Sequence, residues 1–128
     1  MTARELRFSF VVEDLDEALG LFRDAFGLET LEAFEEAGRG VLLRVPEATL
    51  ELLDPEHAAW VDGIETGARR EGRVRIAVRV DDLDGAGEAA TTAGASAVAD
   101  PVETPWGDRN RRYRTADGLQ LTLFQPPG

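Results

Sequence analysis

The chain repeats its own opening. Arg7-Phe8-Ser9-Phe10-Val11-Val12-Glu13-Asp14-Leu15-Asp16 matches Arg75-Ile76-Ala77-Val78-Arg79-Val80-Asp81-Asp82-Leu83-Asp84 almost column for column. Each run is β-branched and aromatic and ends in an acidic turn, the pattern of a strand followed by a helix cap. Asp14 or Asp16 then caps a helix with Leu15, Ala18, Leu19, Phe22 and Phe26 on one face, stopped at Gly27. Asp82 or Asp84 caps a second one through Ala86, Ala89, Ala90 and Ala93, stopped at Gly94. Three strand-like stretches follow each helix: 28–34, 40–45 and 49–53, then 97–102, 110–115 and 119–124. The closing strands also correspond, Leu50-Glu51-Leu52-Leu53-Asp54-Pro55 against Leu121-Thr122-Leu123-Phe124-Gln125-Pro126.

Two βαβββ modules therefore account for nearly all of one domain over residues 1–128: the first over 4–55, the second over 73–126. Residues 56–72 form a linker, in which His57 is read as a surface-loop residue. Alternation puts Phe8, Phe10 and Val12 under the first helix, and Ile76, Val78 and Val80 under the second. Leu50 and Leu52, and likewise Leu119, Leu121 and Leu123, take the same helix side. The opposite face of each sheet is mixed: Arg7, Ser9 and Val11 with Thr49, Glu51 and Leu53, then Arg75, Ala77 and Arg79 with Gln120, Thr122 and Phe124. Val11, Leu53 and Phe124 there favour a partly apolar concavity over a plain solvated surface.

Composition removes several function classes. The net charge of -11 argues against nucleic acid and anionic membranes as partners. With no cysteine, thiolate nucleophiles, zinc-thiolate sites and disulfides are excluded. No stretch reaches the ~18 apolar residues of a membrane span, and no apolar leader precedes the first strand, so a cytoplasmic protein is expected. All 14 basic residues are arginine, and His57 is the one histidine. Gly38-Arg39-Gly40 reads as a hairpin turn without the helix that a phosphate cradle needs. No nucleophilic triad, P-loop or dinucleotide fingerprint is present.

Paired βαβββ modules with strands ending in Asp-Leu-Asp resemble the vicinal oxygen chelate superfamily of glyoxalase I, bleomycin-resistance-type proteins and extradiol dioxygenases. The most specific stretch is Thr104-Pro105-Trp106-Gly107-Asp108-Arg109, followed by Tyr113 and Ala116-Asp117-Gly118-Leu119. It is similar to the Pro-Trp-Gly loop and Asp-Gly-Asn hairpin of small antibiotic-binding and lyase-like members, and the chain resembles most the metal-free antibiotic-binding ones. The resemblance implies an α+β fold of paired, curved mixed sheets and a two-fold dimer, with modules pairing within one chain or across two.

In metal-dependent relatives the first and last strand of each module supply the ligands, which here fall on Arg7, Glu51, Arg75 and Thr122. Arginine has no lone pair to offer and threonine is a weak neutral donor, so no metal and no other cofactor is expected. Arg7, Glu51 and Arg75 are expected instead to converge, with Glu51 accepting from at least one arginine. Such a cluster is either a filled, salt-bridged core or a donor fork for a ligand carboxylate, phosphate or carbonyl. Trp106 on its constrained turn is placed to stack on a ligand ring, with Phe34 and Trp60 as further cleft candidates. Arg109, Arg111, Arg112 and Arg114 read best as a solvated strand.

The ligand-binding set is thus Arg7, Ser9, Glu51, Arg75, Ala77, Trp106, Thr122 and Phe124, for a small aromatic or glycosylated metabolite or antibiotic. The alternatives are a lyase, isomerase or dioxygenase-like enzyme using Glu51 with Arg7 or Arg75, or a divergent metal site, and an accessory protein with a degenerate pocket. Tyr113 is a further candidate proton donor. Whether any reaction is catalysed stays open at the level of sequence.

Overall fold

The structure is a computed structural model and describes residues 7, 8, 10, 12–35, 37–49, 51 and 53–128. Its second half follows the anticipated order, except that the single strand expected over 97–102 is two short ones: β3 (Arg75–Arg79), α3 (Leu83–Thr92), β4 (Ser96–Ala97), β5 (Val102–Glu103), β6 (Arg109–Arg114) and β7 (Gln120–Gln125). The sheet runs β3-β7-β6-β4, with β5 also pairing β6. β3 is parallel to β7 and every other pair is antiparallel. A parallel pair needs a crossover, and α3 begins it. The result is the expected α+β architecture, with βαβββ-like modules and a mixed sheet.

Alternation along these strands builds the core. Tyr113, Leu121 and Leu123 turn to the helix side and are buried with Leu83, Ala90 and Ala95. Ile76, Val78 and Val80 pack beside them, as their spacing implies. Asp82 caps α3 by accepting from the Gly85 N–H at 3.1 Å, and Gly94 leaves the helix at φ 104°. Small residues let α3 lie close to the sheet. A Cβ on Gly87 would collide with the Tyr113 hydroxyl.

The first half departs further from expectation. α1 (Leu15–Leu19) is capped by Asp14, which accepts from the Glu17 N–H at 3.1 Å. It continues as a π-helical turn over Gly20–Ala25, where the Phe26 N–H reaches back five residues to the Leu21 carbonyl at 3.0 Å. The wider turn shifts the buried face. Leu19 and Leu21 are buried, whereas Phe22 and Phe26, assigned to the buried stripe by regular helical spacing, are half-buried and meet edge to face. Leu21 joins the core of the second half. β1 (Glu29–Phe34) and β2 (Gly40–Arg44) form a hairpin whose β1 residues are all exposed. Leu31 and Phe34 are among them.

Three expectations change. Phe8 and Phe10 are not buried: they are 56% and 39% exposed, and Phe10 meets the helix only through Phe22, their rings stacked 20° apart at 6.5 Å. No strand is formed by the described residues among 49–53, and Ser9, Val11, Leu50 and Leu52 lie outside the described set. The stretch read as a linker is largely a helix, α2 (Pro55–Thr66). Asp54 caps it by accepting from the His57 N–H at 2.8 Å, Pro55 opens its first turn, and Gly67 ends it at φ 83°. That is the ordinary Pro-at-start, Gly-at-end asymmetry of a helix. His57 therefore sits in a first helical turn, not in a loop. Among the described residues no helix is long and apolar enough to cross a membrane.

Two helical glycines separate packing from propensity. Gly63 in α2 has open space around its Cβ position, so Gly63→Ala is expected to stabilise by about 0.5–1 kcal/mol. Gly87→Ala forces Tyr113 out of place and is expected to destabilise by about 1–3 kcal/mol. Denaturant unfolding of both variants reads the two signs directly.

Candidate functional site

α2 turns Ala58, Asp62 and Glu65 toward the sheet, an i, i+4, i+7 row. Beneath it, the face opposite the apolar core carries Arg75 on β3, Asn110 and Arg112 on β6, and Gln120 and Thr122 on β7. These side chains form one network. Arg112 donates from Nη1 to Asp62 Oδ1 and Gln120 Oε1, both at 3.0 Å, and from Nε to Glu65 Oε1 at 3.2 Å and Thr122 Oγ1 at 3.1 Å. Arg75 grips Asp62 with both terminal nitrogens, Nη2 reaching Oδ2 at 2.8 Å. The Thr122 hydroxyl donates to Glu65 Oε1 at 2.6 Å, and Asn110 Nδ2 points to Glu65 Oε2 at 3.4 Å. Half-exposed Arg69 and the Arg70 N–H complete the shell of Asp62, at 3.1 and 2.9 Å.

Asp62 is fully buried, Arg112 is 2% exposed and Glu65 is 3% exposed. Such charges persist in a low-dielectric interior only when paired and hydrogen-bonded, as these are. Burial pushes the Asp62 carboxyl up. Hydrogen bonds from Arg75, the Arg70 backbone and Arg112, with the charge of Arg75, outweigh that and hold it down at about 2. Because the folded value lies below the ordinary 3.8, the stabilisation is present above about pH 4 and is lost as pH falls toward 2. The expected loss is about 2 kcal/mol across that window. In Asp62→Asn this contribution disappears, so denaturant titrations of the variant and the parent protein at pH 5 and pH 2.5 should show a smaller pH dependence in the variant.

A second cluster adjoins α2. Trp106 stands in a tight turn held by Thr104: the Thr104 N–H and hydroxyl donate to the Asp108 carbonyl at 2.8 and 3.0 Å, and Gly107 takes φ 99°. Its ring lies 5.7 Å from Trp60 on α2, and Trp60 lies 5.4 Å from His57. Trp60 and Trp106 are 49% and 45% exposed, a half-open aromatic ledge. Elsewhere, a recess of about 20 Å³ near Leu21, Phe22 and Leu119 has room for a single water.

Of the residues singled out from sequence, Arg75, Ala77, Thr122 and Phe124 come together on β3 and β7, where Ala77 and Thr122 are register partners. Ala77 is exposed and Phe124 half-buried. Trp106 meets Trp60, while Phe34 lies exposed on the first-half hairpin. Arg7 and Glu51 are exposed, and Ser9 is outside the described residues. Arg75, one of the two arginines considered as donors to Glu51, is paired with Asp62 of α2. Arg112 is likewise buried under α2 rather than on a solvated strand, and Tyr113 is a core residue with Arg111 over its ring at 5.5 Å. Asp62, Glu65 and Arg112 were legible only as helix spacing in the linker and alternation along 109–114.

The donor set does not fit a metal at the superfamily positions. Arg75 has no lone pair and is ion-paired, Thr122 Oγ1 is committed to Glu65 and Arg112, and Glu51 is exposed. Among the described residues no group of three or more His, Cys, Asp or Glu side chains could hold a metal ion.

Comparison with known proteins places the chain. No curated protein matches it. A hypothetical protein of S. aureus has the same fold, with TM-score 0.66 at 17% identity over 98% of this chain and 95% of its own. A glyoxalase family protein of Bacillus cereus gives 0.60 at 20% identity, covering 98% and 97%. A member of the glyoxalase/bleomycin resistance protein/dioxygenase superfamily from Sphaerobacter thermophilus gives 0.56 at 25% identity, covering 90% of each chain. The family model matches residues 6–123, both halves together, and so the chain belongs to the Glyoxalase/Bleomycin resistance protein/Dioxygenase superfamily.

Proposed function

We propose that this chain is a metal-independent binding protein of the superfamily that sequesters a small aromatic or glycosylated metabolite or antibiotic. The carrying observation is the Trp60–Trp106 ledge, two large rings half-open to solvent and held by a hydrogen-bonded turn and a capped helix. Flat apolar rings on rigid supports stack on a ligand ring at small entropic cost. Metal independence is supported by the chemistry of Arg75 and Thr122, whose polar atoms are already committed to Asp62 and Glu65. The remaining members of the ligand-binding set, Arg7, Ser9, Glu51, Ala77 and Phe124, belong to this reading as cleft residues. An enzyme using Glu51 with Arg7 or Arg75 is less well supported, because Glu51 and Arg7 are exposed and Arg75 is paired to Asp62 in the structure. An accessory role is the second reading, and the ion-paired face under α2 favours it.

The reading takes the protein to be a cytoplasmic two-fold dimer. Phe8, Phe10, Leu31, Phe34 and Val45 expose apolar surface on the first half, and a two-stranded hairpin is marginal without cover. A second copy is the cover that symmetry most readily supplies. Light scattering is expected to give twice the 13.9 kDa chain mass, and Phe34→Glu to shift the protein toward monomer.

Native mass spectrometry of protein isolated from cells tests the ligand. An organic adduct that disappears in Trp106→Ala is the expected result. A stoichiometric divalent ion, or an adduct indifferent to Trp106, contradicts the reading.

A further inference from the structure

α2 is held to the sheet by charge. Of its twelve residues only Ala58, Asp62 and Glu65 are buried: one methyl group and two carboxylates. A helix seated on a sheet ordinarily buries an apolar stripe. The receptor for these carboxylates is contributed by the sheet: Arg75, Asn110, Arg112, Gln120 and Thr122. Its guanidinium forks and hydroxyl are the donors that bind carboxylates of any origin. The helix fits it imperfectly. Asn110 Oδ1 is buried without a partner, and the Asn110 to Glu65 hydrogen bond is stretched to 3.4 Å.

We propose that the Arg75–Arg112 face is a binding site for a small hydroxy-dicarboxylate, which α2 closes with its own carboxylates. Two ligand carboxylates replace those of Asp62 and Glu65, which are one helical turn apart, and the ligand hydroxyl donates to Asn110 Oδ1. Arg69, half-exposed on the rim and paired to Asp62, offers the first contact for an incoming anion. Trp60 rides on the same helix two residues before Asp62, so displacing α2 separates it from Trp106. The site uses side chains and a ligand class different from those of the aromatic ledge, and stands without it.

Malate is the probe, titrated against the full-length protein at constant ionic strength with acetate and chloride as controls. Tryptophan emission reports the Trp60–Trp106 contact. Malate is expected to change the emission saturably where acetate does not. The latch variant Glu65→Gln is expected to bind it about tenfold tighter, because weakening an internal competitor raises the open fraction. Arg75→Gln, altered at the partly open edge, is expected to lose the response. If Glu65→Gln, folded by circular dichroism, binds malate no more tightly than the parent protein, or if Arg75→Gln keeps the response, the proposal is overturned. Should Glu65→Gln not fold, Asp62→Asn takes its place: it weakens the other latch carboxylate, which Arg75 and Arg112 hold, and the same tightening is required. The adduct test with Trp106→Ala reads the aromatic ledge separately.

Discussion

Arg112 is the hinge on which the second half is organised. Its guanidinium lies between a helix and a sheet, donating to Asp62 and Glu65 above and to Gln120 and Thr122 alongside. With Arg75 it makes two buried or nearly buried cations against two buried carboxylates, a neutral set. Removing water from four charges is costly, and pairing offsets that cost without making the cluster a large net source of stability. What it supplies is position. A helix with few buried apolar groups has many nearly equivalent places on a sheet, and directional hydrogen bonds to Asp62 and Glu65 select one of them.

That position reaches the surface. α2 sets Trp60 against Trp106, and the Thr104 turn fixes Trp106 from the other side. The aromatic ledge is therefore assembled from a helix held by the ionic clamp and a turn held by Thr104. The mixed face of the second-half sheet is covered at the Arg75, Arg112 and Thr122 positions by α2, and Ala77 stays exposed on it. The first half shows a different balance, with an exposed hairpin and exposed Phe8 and Phe10. One sequence pattern written twice has thus produced two surfaces: one partly covered by α2, and one that leaves Phe8, Phe10, Leu31 and Phe34 exposed.

The second half was legible because its signals agree. Period-two alternation in 75–80 and 119–124, the Asp82 cap and the stop at Gly94 all point to the same elements, and the core residues Ile76, Val78, Leu121 and Leu123 follow from them. The first half was less legible because its helix changes period midway. A π-helical turn inserts one residue per turn, which brings Leu21 to the core and leaves Phe22 half out, and regular spacing cannot anticipate that. α2 carried readable ends in Asp54-Pro55 and Gly67, but its buried face is acidic, so a search for apolar periodicity passes over it. The same holds for Arg112. On sequence an arginine within 109–114 reads as solvated, and only the two carboxylates contributed from 47 and 50 residues away make its burial tolerable. Arg75 and Thr122 were found as members of the central face, but their partners Asp62 and Glu65 lie on α2, in the stretch read as a linker.

A double-mutant cycle between Glu65 and Arg112, measured by denaturant unfolding of Glu65→Gln, Arg112→Gln and the combined variant, tests the clamp most directly. If the buried pair holds α2 on the sheet, the two substitutions are strongly non-additive, with a coupling of about 2 kcal/mol or more. Effects that add to within about 0.5 kcal/mol, the behaviour of independent sites, would contradict an account built on this ion-paired helix.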